Sequence, residues 1–314
     1  MKIPKLPAIG PTLWGIGVFL LVLGGLAPWI PRFTLTIVVN LLIFAALAYS
    51  LNFITGLTGY VNFGHVVFMA VGAYTLGYTV GTIRLHPLGG VALGGLVALV
   101  LALGLGAVTL RFRGVYFAIA SLVTPLAGLN IVLVLPALGG GQGILLNIGF
   151  DPLSWFYTIW AIIAAEVGLT YWITHGRLGY GIRAIKSDED AAKSLGVNAP
   201  RLKLFLFALS GLFAGATGGV YAWTTSGVFP EAAFDLTFSL RMLAMIVIGG
   251  MGTLLGPLIG AIAVYLPSRF FLTIFIGTES IIIGLVVILI ALFVPGGIVG
   301  TLRKYVPELR RILE

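Results

Sequence analysis

Apolar runs of about 20 residues recur along the whole chain, and they constrain its fold more than any other feature. A helix of about that length crosses the hydrocarbon core of a bilayer. Only 9% of the 314 residues are charged and 59% are hydrophobic, whereas a soluble domain carries roughly 25% charged residues. A soluble fold must still expose surface to water, so this composition excludes one. It predicts an all-α integral membrane protein.

The apolar runs predict about ten transmembrane helices, and the pattern allows eight to ten because Gly and polar residues interrupt the third and eighth. The spans lie near residues 12–30, 35–54, 64–83, 88–110, 115–135, 154–174, 204–224, 236–251, 256–276 and 279–299. The first run lacks a small-residue cleavage site and is long for a signal peptide, so we interpret it as a retained span. Residues 1–314 then form a single transmembrane domain.

Basic side chains fall mainly on one side of these spans. The clusters are Lys2 and Lys5, Arg111 and Arg113, the segment 175–203, and Arg303, Lys304, Arg310 and Arg311. With ten spans all four clusters share a side, which the positive-inside rule assigns to the cytoplasm together with both termini. The net charge of +8 is therefore explained by topology and does not indicate a nucleic-acid partner.

The one long hydrophilic interior segment covers residues 175–203, with six of the 18 Lys and Arg and three of the 10 Asp and Glu. Ser187 is a favourable N-cap, and Asp190 three residues later resembles a capping box. Ala191 and Ala192 favour helix, and Gly196 is typical of a helix end. This predicts a helix of about two turns, too short to be stable alone. The alternative is a solvated connector.

Two interrupted stretches, Gly56–His65 and Thr224–Pro230, separate apolar runs in the two predicted halves. Matched interruptions of this kind indicate a substrate path near the membrane midplane; the alternative is two ordinary interhelical turns. Glycines at four-residue spacing, which favour close helix packing in lipid, are Gly90 and Gly94, then Gly211, Gly215 and Gly219, then Gly252, Gly256 and Gly260. The residues Gly249–Gly252 predict a helix break, followed by a new helix that starts at Gly256-Pro257.

We predict that a small set of polar side chains in and between the spans lines the path; the alternative is that each is an ordinary hydrogen-bonded polar group between helices. They are Asn52, Tyr60, Asn62, His65 and Ser239, with Glu166 in the middle of the sixth span. A carboxyl at that depth costs about 3 kcal/mol, so it should face the bundle interior. Glu166 is either a titrating group for proton-coupled transport or a carboxyl hydrogen-bonded to a neighbouring span.

Catalytic motifs are missing from the sequence. The chain has no cysteine, which excludes disulfides and thiolate metal sites. No HExxH pair, nucleophile elbow or GxxxxGK[ST] phosphate loop is present. We therefore expect no enzymatic activity, and no cofactor or nucleotide bound by this chain.

The pattern G-R-x-G-x-x-x-R-A-I-x-x-D-E-x-A-A-x-x-x-G, from Gly176 to Gly196, resembles the coupling segment of bacterial permeases of the LivM family, which belong to branched-chain amino acid ABC importers. The resemblance extends over nearly the full length of the chain. It is carried by 46–52 and 56–65, by 113–119 and 140–144, and by 203–215, 249–257 and 293–300. Asn62 departs from relatives that carry a Gln-containing version of the break.

The resemblance implies a multi-pass subunit of the bacterial cytoplasmic (inner) membrane. Its short helix would dock on an ATP-binding partner through a set comprising Ser187, Asp188, Glu189, Asp190, Ala191, Ala192, Lys193 and Gly196. The implied partners are two ATPase subunits, a second related permease (a heterodimer rather than a homodimer) and an extracytoplasmic substrate-binding protein. The implied cargo is a branched-chain or other neutral amino acid, with urea or a short amide as an alternative. A stand-alone proton-coupled transporter using Glu166 is the rival from another class.

Overall fold

Helices account for nearly all of the regular structure in the computed structural model, which describes residues 11–274, residue 284 and residues 296–305. Apart from the short α8, the helices up to residue 225 are α1 (Pro11–Leu26), α2 (Arg32–Leu51), α3 (Val66–Gly81), α4 (Pro87–Thr109), α5 (Val115–Val134), α6 (Pro152–His175), α7 (Arg177–Ser187) and α9 (Ala199–Thr225). The others are α8 (Glu189–Ser194), α10 (Pro230–Ala233), α11 (Leu236–Gly249), α12 (Gly256–Ile274) and α13 (Gly297–Tyr305).

Six helices among the described residues are long and apolar enough to cross a membrane. They are Arg32–Gly56, Pro87–Thr109, Val115–Val134, Pro152–His175, Ala199–Thr225 and Pro230–Gly249. Shorter apolar helices run over Gly15–Trp29 and Val66–Gly81. The structure thus supports a multi-pass all-α membrane protein. The tenth predicted span, 279–299, lies mostly outside the described residues, as do Lys2, Lys5, Arg310 and Arg311.

Helices α3, α4 and α9 form one tightly packed group, and α2 lies between α6, α9 and α12. Helix α2 is the most buried candidate span, with 72% of its apolar window inside the protein, whereas α5 is the least buried at 22%. Helix α1 packs on α6, where Trp160 Nε1 donates a hydrogen bond to the Leu20 carbonyl at 2.8 Å. A central helix therefore carries contacts to both halves of the bundle.

The predicted helix break at Gly249–Gly252 is confirmed. Helix α11 ends at Gly249 and α12 begins at Gly256 with Pro257 in its first turn, where its missing N–H costs no intrahelical hydrogen bond. Both other interruptions are confirmed as breaks too. After α2 a π-helical turn covers Asn52–Gly56 and α3 begins at Val66, whereas α9 ends at Thr225.

The prediction that Gly56–His65 and Thr224–Pro230 are matched interruptions at one membrane depth is wrong. Gly227–Val228 (β2) pairs with Ile144–Leu145 (β1) in a two-residue antiparallel ladder, beside Gly77 near the end of α3. The stretch Gly56–His65 instead precedes α3. The 16 residues of α3 place the two breaks roughly 20 Å apart along the helix axis. The small ladder is also the one departure from all-α structure among the described residues.

Residues 175–203 contain two helices rather than one. Ser187 is not the N-cap of the short helix, because it is the last residue of α7. Helix α7 buries Gly179, Ile182 and Ile185 on one face, and this apolar face carries the helical conformation past the position where a cap was predicted. Extended backbone at Asp188 (φ −158°, ψ 115°) then separates α7 from α8.

Candidate functional site

Helix α8 is defined at both ends by its own sequence. Asp188 is the N-cap, and its Oδ1 accepts hydrogen bonds from the backbone N–H groups of Asp190 (2.8 Å) and Ala191 (3.0 Å). These two bonds lower the pKa of Asp188. At the other end Gly196 has φ +85°, and Val197 N–H donates to the Ala192 carbonyl at 3.0 Å. This is a Schellman motif, so the predicted end at Gly196 is confirmed.

The carboxylate of Glu189 anchors α8 to the helices beneath it. Lys203 Nζ, at the start of α9, lies 3.1 and 3.0 Å from the two carboxylate oxygens. Lys193 Nζ lies 2.8 Å from Oε1, and the Tyr60 hydroxyl donates to Oε2. Three cationic or phenolic donors therefore converge on one carboxylate, which we call the Glu189 cluster (Tyr60, Glu189, Lys193 and Lys203).

The charged groups of the Glu189 cluster are largely buried. The side chain of Lys203 is 2% exposed and that of Glu189 is 10% exposed. Lys203 Nζ also donates to the Tyr60 hydroxyl at 2.8 Å and lies 4.2 Å from the centre of the Tyr60 ring. A buried lysine without such partners would be strongly unfavourable, so Lys203 holds α8 and the stretch before α3 together.

The cluster shifts the protonation of its members. Partial burial alone would raise the pKa of Glu189, but hydrogen bonds from Lys193, Tyr60 and Lys203 outweigh it and lower that pKa to about 2. Burial and the adjacent carboxylate raise the pKa of Tyr60. Glu189 is therefore ionised and Tyr60 neutral at any physiological pH, so the cluster is a fixed ion pair and not a proton relay.

Asp190, the next residue of α8, makes a more exposed contact. Arg113 Nη1 lies 2.9 and 2.8 Å from its two carboxylate oxygens, and the side chains are 52% and 71% exposed. An exposed pair of this kind contributes about 0–1 kcal/mol. The contact links α8 to the α4–α5 connection without holding it there.

A second connection joins α7 to the two helix breaks. Lys186 Nζ donates to the Gly56 carbonyl at 2.7 Å. Asn52 Oδ1 accepts from Gly252 N–H at 2.9 Å, and Asn52 Nδ2 lies 3.4 Å from the Thr253 carbonyl. A Cβ at Gly56 would lie 1.7 Å from Asn52 Oδ1, so only glycine fits there. The partner of the first-half break is thus the α11–α12 break, not Thr224–Pro230.

Other predicted path residues hold the first break in place. His65 Nε2 lies 2.8 Å from Ser50 Oγ, Ser239 Oγ accepts from Val66 N–H at 3.0 Å, and Asn62 Oδ1 accepts from Gly64 N–H at 3.0 Å. All are at most 2% exposed. Within the described part of the chain, Asn62 Nδ2 and His65 Nδ1 have no hydrogen-bond partner.

Glu166 lies apart from these groups, on α6. It is fully buried, and neither carboxylate oxygen has a hydrogen-bond partner among the described residues. The predicted hydrogen bond to a neighbouring span has no counterpart among the described residues. The nearby Tyr49 donates its hydroxyl proton to the Leu254 carbonyl at 2.7 Å instead, so it is not available to Glu166.

The structure thus brings Tyr60 together with Glu189 and Lys193, and places Asn52, Asn62, His65 and Ser239 around the same break. Sequence reasoning did not assign roles to Lys186, Arg113 and Lys203. Lys203 had a detectable signal, since it is the last cation before the long apolar run of α9. Helix α7 had one too, because Leu178, Ile182 and Ile185 follow helical spacing.

Comparison with known proteins gives one family match. The model for the family described as "Branched-chain amino acid transport system / permease component" matches residues 33–291. The LivM permease protein of the high-affinity branched-chain amino acid transport system of Escherichia coli is 28% identical, over 93% of this chain and 76% of its own length. No solved structure matches.

Two further relatives are permeases with different names. The ribose import permease protein RbsC of Escherichia coli is 28% identical over 55% of this chain and 60% of its own length. The LivH permease protein of Salmonella typhimurium, from the high-affinity branched-chain amino acid transport system, is 25% identical over 57% of each chain. The similarity therefore extends to permeases whose names state different cargoes.

Proposed function

Because the chain belongs to the family of branched-chain amino acid transport permease components, we propose that it is a translocating subunit of an ABC importer driven through α7 and α8. The chain is a multi-pass membrane permease, and residues 1–314 form one transmembrane domain in this proposal. Residues 175–203 are its cytoplasmic segment, and α8, which lies within residues 187–196, is the coupling helix on which an ATPase acts.

The observation that carries this proposal is the Glu189 cluster. It joins the surface helix α8 to the start of α9 through Lys203 and to the stretch before α3 through Tyr60. Helix α7 adds the bond from Lys186 to the Gly56 carbonyl. Displacing α7 and α8 therefore displaces α9 and the two breaks that Asn52 joins, Gly56–His65 and Gly249–Gly252. An ATPase needs a mechanical connection of this kind to move the spans.

The partners follow from the same proposal. Two ATP-binding subunits dock below the membrane and bind the nucleotide, so this chain carries no cofactor. An extracytoplasmic binding protein delivers the cargo. A second, related permease completes the pore, and similarity to both LivM and LivH, two permease proteins of one named system, favours a heterodimer over a homodimer.

The cargo we propose is a branched-chain amino acid or another neutral amino acid, supported by the family description. Urea or a short amide is the alternative, since few charged side chains occur in the spans. For the path itself we propose the break around Asn62 and His65, because Asn62 Nδ2 and His65 Nδ1 are buried without partners in the described residues. Asn52, Tyr60 and Ser239 support that break, whereas Glu166 lies apart from it on α6.

The arrangement of charges supports a bacterial inner-membrane location with both termini in the cytoplasm. Arg113 contacts Asp190, so the α4–α5 connection and residues 175–203 lie at the same end of the bundle. Arg32 and Arg84 begin α2 and precede α4, at the other end. This matches the ten-span topology in two halves of five, which we retain as part of the proposal.

Docking can be tested on the exposed face of α8. Ala192 is 1% exposed and Glu189 anchors the cluster, so changing either would disturb the helix itself. Ala191 is exposed and Leu195 is 82% exposed. We expect the double change Ala191→Arg, Leu195→Asp to abolish co-purification of a P-loop ATPase and to lower uptake about tenfold or more, the effect of removing an interface hot spot.

Leu145→Asp is the matched control, because Leu145 is 76% exposed and lies at the opposite end of the bundle. The control should keep the ATPase, and both variants should keep the second permease. Retention of the ATPase at the wild-type level by the α8 variant would refute the docking surface. Uptake by the chain alone in liposomes, abolished by Glu166→Gln, would establish the proton-coupled alternative.

A further inference from the structure

A cavity of about 380 Å³ opens beside α8, at the end of the bundle that carries the charged segment. Its walls come from the last turn of α4, the α4–α5 connection, α8 and the first turns of α9. It is lined by Gly106, Ala107, Leu110, Arg111, Arg113, Glu189, Lys193, Pro200, Arg201, Lys203 and Leu204. The Glu189 cluster forms part of one wall, but its hydrogen bonds leave the cavity itself unfilled.

The charges around this cavity do not balance. Five of the lining residues are cationic and one is acidic. Glu189 is already occupied by Lys193 and Lys203, and Asp190, outside the lining, takes Arg113. Arg111 Nε donates to the Ala107 carbonyl at 3.1 Å. Across the described ranges neither Arg111 nor Arg201 has a carboxylate within ion-pair distance, so the cavity retains positive charge that an anion would neutralise.

The other wall of the cavity is apolar. Gly106, Ala107, Leu110 and Leu204 line it, and large apolar side chains next to them in sequence face outward. Val108 is 62% exposed, Phe112 is 48% exposed and Phe205 is 40% exposed. Apolar surface of this kind on membrane-spanning helices contacts lipid chains. The cavity therefore lies where the lipid-facing surface of α4 and α9 meets the basic surface segment.

We propose that this cavity binds the phosphate headgroup of an anionic membrane phospholipid, with its acyl chains against the apolar surface of α4 and α9. Basic pockets at the ends of membrane helices on the cytoplasmic side recognise such headgroups. A free phosphate would satisfy the arginines but leave the adjoining apolar surface unused. Because the cavity is bounded by α8, Arg113 and Lys203, the bound lipid would fasten the surface helix to α4 and α9.

The test compares two lipids on the intact importer. The complex is purified, exchanged into nanodiscs of phosphatidylcholine with a minor fraction of phosphatidylglycerol of the same chain length, and the retained lipid is measured by native mass spectrometry. We expect wild type to retain phosphatidylglycerol preferentially. The double change Arg111→Ala, Arg201→Ala should lower that retention about tenfold, since each basic group near the surface contributes to binding of anionic lipid.

The control removes the same charge from the other end of the bundle, through Arg32→Ala, Arg84→Ala, and should retain the lipid as wild type does. Arg111→Lys, Arg201→Lys should recover most of the retention. Retention of the two lipids by wild type in proportion to their share of the nanodisc would overturn the proposal without needing any variant. Displacement of the retained lipid signal by millimolar inorganic phosphate would also overturn it, in favour of a free-anion site. ATPase co-purification, scored separately, reports on the docking proposal alone.

Discussion

Lys203 illustrates how one buried charge determines local structure. Its ammonium group is removed from water, with 2% of the side chain exposed, and a buried cation persists only when paired and hydrogen-bonded. Glu189 and Tyr60 supply those partners. A six-residue helix such as α8 has too few internal hydrogen bonds to be stable alone. The position of α8 therefore depends on the ion pair between Glu189 and the buried Lys203.

The Glu189 cluster should make the stability of α8 depend on acid. The pKa of Glu189 is about 2 in the folded protein, whereas an unfolded glutamate titrates near 4.3. A lowered folded-state pKa stabilises fully above the unfolded value and loses that contribution as pH falls towards the folded value. We expect hydrogen-exchange protection of residues 189–194, corrected for intrinsic rates, to fall roughly tenfold between about pH 5 and pH 2, a two-unit shift reduced by solvent screening.

Glu189→Gln is the comparison for this prediction. It removes the charge, so protection of α8 should be lower throughout and should fall less with acid, only by the part that protonation of the N-cap Asp188 contributes. A wild-type profile as flat as that of the variant would contradict the ion-pair account of how α8 is held.

At the scale of elements, glycines let α3, α4 and α9 approach one another. A Cβ at Gly72 would lie 1.8 Å from the Gly215 carbonyl oxygen, and one at Gly94 would lie 2.9 Å from the Gly72 carbonyl oxygen. The predicted packing role of glycines at four-residue spacing is confirmed at Gly94 and Gly215. Helices in lipid associate through such close contacts because lipid supplies no hydrophobic driving force.

Gly218, which the four-residue pattern did not include, makes the tightest contact on α9. A Cβ there would lie 1.9 Å from the Met69 carbonyl oxygen, so Gly218→Ala should separate α9 from α3. We expect this change to lower the free energy of unfolding by about 1–3 kcal/mol, the range for overpacked cores, as measured by reversible denaturation in mixed micelles.

Gly168→Ala is the matched control for Gly218→Ala. Gly168 is an exposed helical glycine, and a Cβ added there would have no atom within 4 Å. Alanine favours helix by about 0.5–1 kcal/mol over glycine, so the control should be neutral or slightly stabilising. Equal destabilisation by both changes would show that the close contact at Gly218 is not the cause.

At the scale of the whole molecule, the two ends of the bundle differ in chemistry. One end carries α7, α8, the Glu189 cluster and the two helix breaks that Asn52 joins. The other end carries the β1–β2 ladder. Helix α2 links the ends, since it begins at Arg32 and reaches Asn52 at the break. This polarity allows a signal applied at one end to be transmitted along packed helices to the other.

Single cysteines can report the orientation, because the natural chain has none. Leu195→Cys and Leu145→Cys place thiols at sites that are 82% and 76% exposed, on opposite ends. In intact cells a membrane-impermeant maleimide should label Leu145→Cys at least about tenfold faster than Leu195→Cys, because the proposed topology, based on the positive-inside rule, puts the latter on the cytoplasmic side. After permeabilisation both should react, and the reverse order would invert the topology.

The residue pattern alone was sufficient for most of the helices. Apolar runs of membrane-spanning length require helices, because a backbone in lipid must satisfy its own hydrogen bonds. For the same reason the breaks at Gly56–His65 and Gly249–Gly252 were predictable, since glycine and polar residues interrupt such runs. The end of α8 at Gly196 was predictable from the conformational preference of glycine.

Only the tertiary structure decided which of these parts meet. It paired the break at Gly56 with that at Gly252 through Asn52, gave the N-cap to Asp188 instead of Ser187, and left Glu166 without a hydrogen-bond partner in the described residues. Local sequence determines the conformation of a segment through short-range sterics and hydrogen bonds. The burial of Lys203 and Glu189 also depends on Tyr60, which is more than a hundred residues away in sequence, and its approach is set by how the helices pack.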